Sequence, residues 1–264
     1  LIAVFVPLKF SFFTILALYF MHYGLIGYPL SHSFSRQYFK QKFENEGLVN
    51  CRYDLFPIEH IDLLPDLLQQ NPDLCGLNVT IPYKQAVLAY INEQSPAVQQ
   101  IGAVNCIKIK QGRLIGYNTD VIGFEQSLVP LLQAHHKAAL VLGNGGAAKA
   151  VCWVLQKLGI PYIIVSRQAN NHNNGLSYPA ITANVMAQHT IVVNTTPLGM
   201  YPNIDAAPAL PYHFFSPQHL CYDLVYNPTE TLFMQQAAKY GAVTKNGLDM
   251  LHLQAEAAWE IWNE

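Results

Sequence analysis

The chain is short of charge. Of its 264 residues only 12% are Asp, Glu, Lys or Arg, 15 basic against 17 acidic for a formal net charge of −2, while 51% are hydrophobic. That composition belongs to a globular chain, not a disordered one. No long basic run is present, so nothing asks for nucleic acid as a partner. Cysteine is also scarce. The five, Cys51, Cys75, Cys106, Cys152 and Cys221, are odd in number and widely spread, with no Cys-x-x-Cys. This argues against a disulfide framework or a zinc site and for reduced thiols in a cytoplasmic protein. The ten histidines include no His-Glu-x-x-His, so no metal is expected, and the adjacent pair His135-His136 reads as a solvated loop. There is no internal repeat. The length suffices for one large or two modest domains.

Residues 1–20 are almost wholly apolar, with Lys9 the single charge. The length matches a membrane span. The run is too uniform for a secretory signal, and no small-residue cleavage site follows it before Tyr23. The preferred reading is that translation starts at Met21, with 1–20 an upstream extension of the reading frame. A membrane anchor is the alternative, and the intact mass of the natively expressed protein separates the two.

From Met21 onward, strand and helix patterns alternate, which predicts α/β architecture with mostly parallel sheets. Strands are expected at 23–28, 52–56, 74–79, 138–142, 162–165, 190–193, 220–224 and 242–244, with a hairpin of 104–109 and 113–117 about Gln111-Gly112. Helices are expected at 33–43, 61–69, 83–90, 120–132, 147–158, 230–240 and 249–262, and a loop at 168–177. The domain boundary falls in the helix after Asp120.

Val141-Leu142-Gly143-Asn144-Gly145-Gly146-Ala147 is a strand, a glycine turn and a helix start. Free backbone N–H groups and the positive helix end meet there, which suits a phosphate. An ordinary strand-to-helix turn has the same pattern. The next strand ends in Ser166-Arg167 with no acid to take a ribose 2′-hydroxyl, and an arginine there suits a 2′-phosphate, so the cofactor is expected to be NADP. Asn194-Thr195-Thr196-Pro197-Leu198-Gly199-Met200 ends a further strand and is expected to line the same cleft.

The first half carries polar islands at predicted strand ends. Ser33 and Ser35 open a helix, where they serve either as N-caps or as holders of a carboxylate. In Asn78-Val79-Thr80-Ile81-Pro82-Tyr83-Lys84, the side chains of Asn78 and Thr80 leave the strand on one side, Pro82 suits a first helical turn, and Lys84 is a candidate for proton transfer. Gly102-Ala103-Val104-Asn105 follows. Asp120, in Asn118-Thr119-Asp120, either caps the next helix or faces Lys84 as an acid/base pair.

These islands, continuing through Tyr222-Asp223-Leu224-Val225-Tyr226-Asn227-Pro228 and Asn246-Gly247-Leu248-Asp249-Met250-Leu251…Gln254, run in register over some 240 residues and resemble the shikimate dehydrogenase family. The resemblance implies a two-domain α/β enzyme: a substrate domain at 21–120, a Rossmann-like, doubly wound NADP-binding domain at 121–246, and a C-terminal helix at 247–264 returning to the first domain. It implies reversible NADPH-dependent reduction of 3-dehydroshikimate to shikimate. By motif position, Lys84 and Asp120 are the catalytic pair and Ser33 and Ser35 hold the substrate carboxylate, with Asn78, Thr80, Asn105 and Gln254 on ring hydroxyls and Tyr226 beside the substrate. Gly143, Asn144, Gly145, Gly146 and Ala147 take the pyrophosphate. Ser166 and Arg167 take the 2′-phosphate, and Thr195, Met200 and Gly247 the nicotinamide region. The implied partner is a small molecule, with the protein a monomer or homodimer. The sequence departs from the family at Arg36 (usually proline), Cys106 (threonine), Asn144 (alanine), Ser166 (asparagine) and Asp249 (glycine). The alternatives are a broader quinate/shikimate enzyme, with or without NAD use, and a non-catalytic ligand-sensing paralogue.

Overall fold

The computed structural model describes residues 20–30, 33–167 and 175–264. The apolar run lies outside them except for Phe20, as do 168–174 of the expected loop.

Two six-stranded sheets are formed among the described residues. The first contains β1 (Met21–Gly27), β2 (Cys51–Pro57), β3 (Leu74–Val79), β4 (Glu93–Gln94), β5 (Cys106–Lys110) and β6 (Arg113–Tyr117), in the order β2-β1-β3-β5-β6-β4. β1 is parallel to β2 and β3, whereas β5 runs antiparallel to β3 and β6. The β5–β6 hairpin turns through Gln111 and Gly112 at φ 53° and 73°, the positive-φ pair that a tight hairpin needs.

The second sheet contains β7 (Ala139–Leu142), β8 (Tyr162–Ser166), β9 (Leu176–Ser177), β10 (Ile191–Asn194), β11 (Leu220–Asp223) and β12 (Val243–Lys245), in the order β12-β11-β10-β7-β8-β9. Every pairing in it is parallel. The chain winds one way from β7 and the other way from β10, so a crevice opens at the C-terminal ends of these two strands. β7, β10 and β11 are buried along their whole length, which is why they read as short apolar runs without alternation.

Helices α1 (Phe34–Glu46), α2 (Leu64–Gln70), α3 (Pro96–Ile101), α4 (Asp120–Leu128), α5 (Gly146–Lys157), α6 (Ala183–Gln188), α7 (Leu232–Ala238) and α8 (Leu248–Asn263) cover the sheets. α8 buries Met250, Gln254, Ala255, Ala257, Ala258, Ile261 and Trp262, one stripe at helical spacing. Its N-terminal half packs on α4 so closely that a Cβ on Gly123 would meet the Met250 carbonyl. Its C-terminal half lies on the first sheet. There Trp262 stacks on Tyr23 with centroids 4.8 Å apart and donates to the Ile107 carbonyl at 3.0 Å.

Several expected elements take a different form. The helix expected at 83–90 is a turn followed by a short 3-10 helix, Ala86–Tyr90, and Pro82 sits in the turn rather than in a helical turn. The helix expected at 120–132 stops at Leu128 and continues as a 3-10 turn, Val129–Leu131, because Pro130 has no N–H for the α ladder. Leu176–Ser177, expected as loop, is an edge strand on β8. α3 was not expected, although Ser95 caps it, Pro96 opens it and Gly102 ends it in the left-handed region. His135-His136 is no solvated loop: His136 is buried, and both Nε2 atoms lie within hydrogen-bond distance of the Gln218 carbonyl, at 3.1 and 3.2 Å. Among the described residues, no helix is long and apolar enough to cross a membrane, and all five cysteines are free thiols.

Candidate active site

Lys84 follows the turn at the C-terminal end of β3, and Asp120 opens α4 after β6. The Lys84 ammonium donates to Asp120 Oδ2 at 2.7 Å, with the two side chains 30% and 16% exposed, so the pair is held together yet reachable. Asp120 does not cap α4: Thr119 is the N-cap residue, and no side chain caps the helix. The other carboxylate oxygen, Oδ1, accepts from Asn105 Nδ2 at 2.9 Å. Of the two roles open to Asp120, the geometry selects the one facing Lys84. The turn itself is pinned from below, since the Val104 N–H donates to the Lys84 carbonyl at 2.7 Å.

A buried network extends from this pair. Asn105 Oδ1 accepts from the Thr119 N–H at 2.6 Å, and Thr119 Oγ1 donates to Gln254 Oε1 of α8 at 3.4 Å. Asn78 Nδ2 donates to the Asn105 carbonyl at 3.4 Å, while its Oδ1 accepts from the Tyr53 hydroxyl at 2.7 Å. Asn78, Lys84, Asn105, Asp120 and Gln254 are therefore joined in one network, Gln254 through Thr119, and Tyr53 holds Asn78. Neither Tyr53 nor Thr119 is among the residues expected at the site. A tyrosine within a buried strand must find a partner for its hydroxyl, and that rule would have singled out Tyr53. Thr80 joins by position only: its N–H donates to the Ile26 carbonyl at 3.0 Å, and its carbonyl accepts from the Tyr83 N–H at 2.9 Å.

Ser33 is the N-cap of α1, its Oγ accepting from the Arg36 N–H at 3.3 Å. The capping role is real for Ser33, but the hydroxyl proton remains available to a ligand. Tyr226, after β11, reaches across to the first sheet's side: its ring meets that of Phe34 edge-on at 6.1 Å, beside both serines.

The remaining site candidates lie around the C-terminal ends of the second sheet. Gly143 follows β7 at φ 108°, and a Cβ there would lie 2.8 Å from Thr195 Oγ1, so glycine is required both by conformation and by space. Thr195 Oγ1 donates to the Leu142 carbonyl at 2.6 Å and closes this turn onto β10. Added Cβ atoms at Gly145 and Gly146 would meet nothing within 4 Å, and no side chain caps α5. Its first-turn N–H groups are thus left without a side-chain cap, as diphosphate binding at a helix start requires. Ala147 lies in that first turn. Ser166 ends β8 and Arg167 follows it, exposed. With no carboxylate at that strand end, the donor set fits NADP. Met200 is exposed on a loop after β10 that lines a pocket of about 600 Å³. Gly247 is the N-cap residue of α8, and a Cβ there would collide with the Leu224 backbone.

Residues 25–107 match the family described as shikimate dehydrogenase substrate binding domain. A shikimate dehydrogenase (NADP(+)) of Desulforamulus reducens is 35% identical over 263 residues, covering 90% of this chain and 88% of that protein. One from Methanococcus maripaludis is 35% identical over 254 residues, covering 90% of each. The chain belongs to the shikimate dehydrogenase family. The Thermus thermophilus shikimate 5-dehydrogenase, solved with NADP(H) and shikimate, superposes with a TM-score of 0.80 at 30% identity, covering 92% of this chain and 93% of that one.

Within the family, the departures of this chain acquire physical sense. Arg36 keeps a backbone N–H that proline would lack, and that N–H is the one capped by Ser33. Cys106 is fully buried beside Asn105, and burial pushes its thiol well above the usual range. Asp249 lies in the first turn of α8 in contact with Lys245, where a negative charge suits the helix dipole. Asn144 is exposed and lines a pocket of about 310 Å³ between α3 and α5, with Gln100, Lys149 and Trp153.

Proposed function

We propose that this protein catalyses the reversible NADPH-dependent reduction of 3-dehydroshikimate to shikimate, with Lys84 and Asp120 as its catalytic pair. The observation that carries this reading is the 2.7 Å Lys84–Asp120 contact, set in a network of neutral amides and hydroxyls, in a chain of this family. NADPH, when bound, supplies the hydride, and the protein supplies position and a proton. Lys84 gives that proton to the ketone oxygen and takes it back in the reverse direction. Asp120 orients the ammonium, and Asn105 fixes the Asp120 carboxylate through Oδ1.

Ser33 and Ser35 receive the substrate carboxylate through hydroxyls and the N-terminus of α1. Asn78, Thr80, Asn105 and Gln254 receive ring hydroxyls, and Tyr226 closes over the substrate. The turn 143–147 receives the pyrophosphate, Ser166 and Arg167 the 2′-phosphate, and Thr195, Met200 and Gly247 border the nicotinamide. This assignment divides the chain into a substrate domain at 21–120, an NADP domain at 121–246 and a returning helix at 247–264. The reading favours a cytoplasmic protein, monomeric or homodimeric.

The test is growth of the reduced-nicotinamide absorbance band with shikimate and NADP. The expected result is turnover with this pair, weaker with NAD and weaker with quinate. Binding of both ligands without turnover would instead identify a sensor.

A further inference from the structure

Three stretches of chain are assigned above to the reacting end of the cleft: the loop after β10 with Thr195 and Met200, the segment after β11 with Tyr226, and the start of α8 at Gly247. All three hang on one buried carboxylate. Asp223 ends β11, directly opposite Asn194 at the end of β10, and both are fully buried. Asp223 Oδ1 accepts from Asn194 Nδ2 at 3.0 Å and from the Val225 N–H at 3.0 Å, and Oδ2 accepts from the Thr231 hydroxyl at 2.6 Å. Asn194 extends this hold to the first loop: its Oδ1 accepts from the Thr196 N–H at 3.0 Å and from the Thr196 hydroxyl at 2.7 Å. The Val225 carbonyl accepts from the Gly247 N–H at 3.2 Å, and the Asn227 carbonyl accepts from the Tyr201 N–H, next to Met200, at 3.1 Å. We propose that Asp223 is a positioning residue that sets the loops bearing Met200 and Tyr226, and through Val225 the start of α8, against the reacting end of the cofactor. The proposal rests on the roles given to Thr195, Met200, Tyr226 and Gly247 above.

The donors leave this position little choice. The Thr196 N–H can only donate, so the Asn194 carbonyl must face it and the Asn194 NH2 must face Asp223. The Val225 N–H can only donate as well. Both meet Oδ1, which must therefore be an acceptor. The Thr231 hydroxyl at Oδ2 can donate or accept, and it also caps α7 by accepting from the Met234 N–H at 3.4 Å. An asparagine fits the same donors, with its carbonyl at the Oδ1 position and its NH2 turned to the Thr231 hydroxyl. A leucine of similar volume leaves two buried donors without an acceptor, and they find new partners only if the backbone after β10 or β11 moves. That movement falls on the reacting end of the cofactor. The pyrophosphate and 2′-phosphate are assigned to other strand ends, after β7 and β8. The cofactor then still binds by its remote parts but is misaligned where hydride is transferred, and a misplacement of about 1 Å costs on the order of 10²-fold in rate.

The test compares Asp223→Leu, Asp223→Asn and Asn194→Ala with the unaltered protein. It reads kcat and KM for shikimate and NADP, with turnover expressed per NADP-binding site titrated by calorimetry. Asp223→Leu is expected to lower kcat per site roughly 10- to 100-fold, with KM for NADP within about threefold. Asp223→Asn is expected to restore kcat to within about threefold of the unaltered protein, because both donors at Oδ1 keep their acceptor. Asn194→Ala cuts the loop after β10 away from Asp223 and should lower kcat in the same sense, and it carries the test if Asp223→Leu fails to fold. Fewer binding sites with unchanged turnover per site would show a merely structural role and overturn the proposal. An Asp223→Asn protein as slow as Asp223→Leu, or normal kcat in Asn194→Ala, also overturns it. Absence of turnover in the unaltered protein removes the catalytic reading, and this proposal with it.

Discussion

Lys84, Asp120, Asn78 and Asn105 present side chains around one end of a mixed sheet, whereas the parallel sheet offers mainly backbone, the turn 143–146 and the uncapped start of α5. The first sheet needs antiparallel β5 and β6 to bring Asn105 and Asp120 beside the end of β3, and each side chain is then fixed by another. Replacing one group there disturbs its neighbours. In the proposed assignment the second sheet binds through N–H groups that every residue but proline possesses, so its tolerance is set by backbone conformation and space. The departures at Asn144 and Ser166 fall on the second sheet and those at Arg36 and Cys106 on the first, and none of them removes a member of the proposed catalytic pair.

The contrast can be broken in several ways. The largest effect is expected on the side-chain half: Asp120→Asn should lower kcat by ~10²–10⁴-fold with little change in KM, as read by steady-state kinetics. The Arg167→Ala change removes a charge contact to the proposed 2′-phosphate. It should raise KM for NADP by roughly 10- to 100-fold while leaving kcat and the weaker NAD reaction nearly unchanged. On the backbone half, Gly143→Ala forces a Cβ against Thr195 at a positive φ. It should cost about 1–3 kcal/mol of stability in denaturant melts, and Asn144→Ala, one residue on, should cost almost nothing.

A pH-dependent effect is expected at Asp223, fully buried at the end of β11. Burial pushes its carboxyl up to about 6, despite donors from Thr231, Val225 and Asn194. The folded state thus holds this proton more tightly than the unfolded chain, where the value is about 4. The contribution of Asp223 to stability falls as pH rises from about 4 through about 6 and stays reduced above that. Melts of Asp223→Asn against the parent across this window should show the parent losing stability relative to the variant as pH rises.

Much of the architecture was legible because its signals are local. β3 matched its expected span, and β7, β10 and β11 fell within a residue at each end, since a buried parallel strand is an uninterrupted apolar run. The places of Gly143 after β7 and Arg167 after β8 were legible from spacing along one βαβ unit. The Lys84–Asp120 contact was readable only as one of two options, because 36 residues separate the pair and no local pattern brings them together. Tyr53 was missed for the same reason: its partner Asn78 lies 25 residues on in another strand, and in the sequence Tyr53 is one more aromatic in a strand. His136 was missed because its partner, the Gln218 carbonyl, comes from a distant loop.

The most direct measurement is kcat of Lys84→Ala against the unaltered protein, with shikimate and NADP at saturation. The account predicts a loss of ~10²–10⁴-fold with KM for both ligands changed far less. Turnover within a fewfold of the unaltered protein would contradict it.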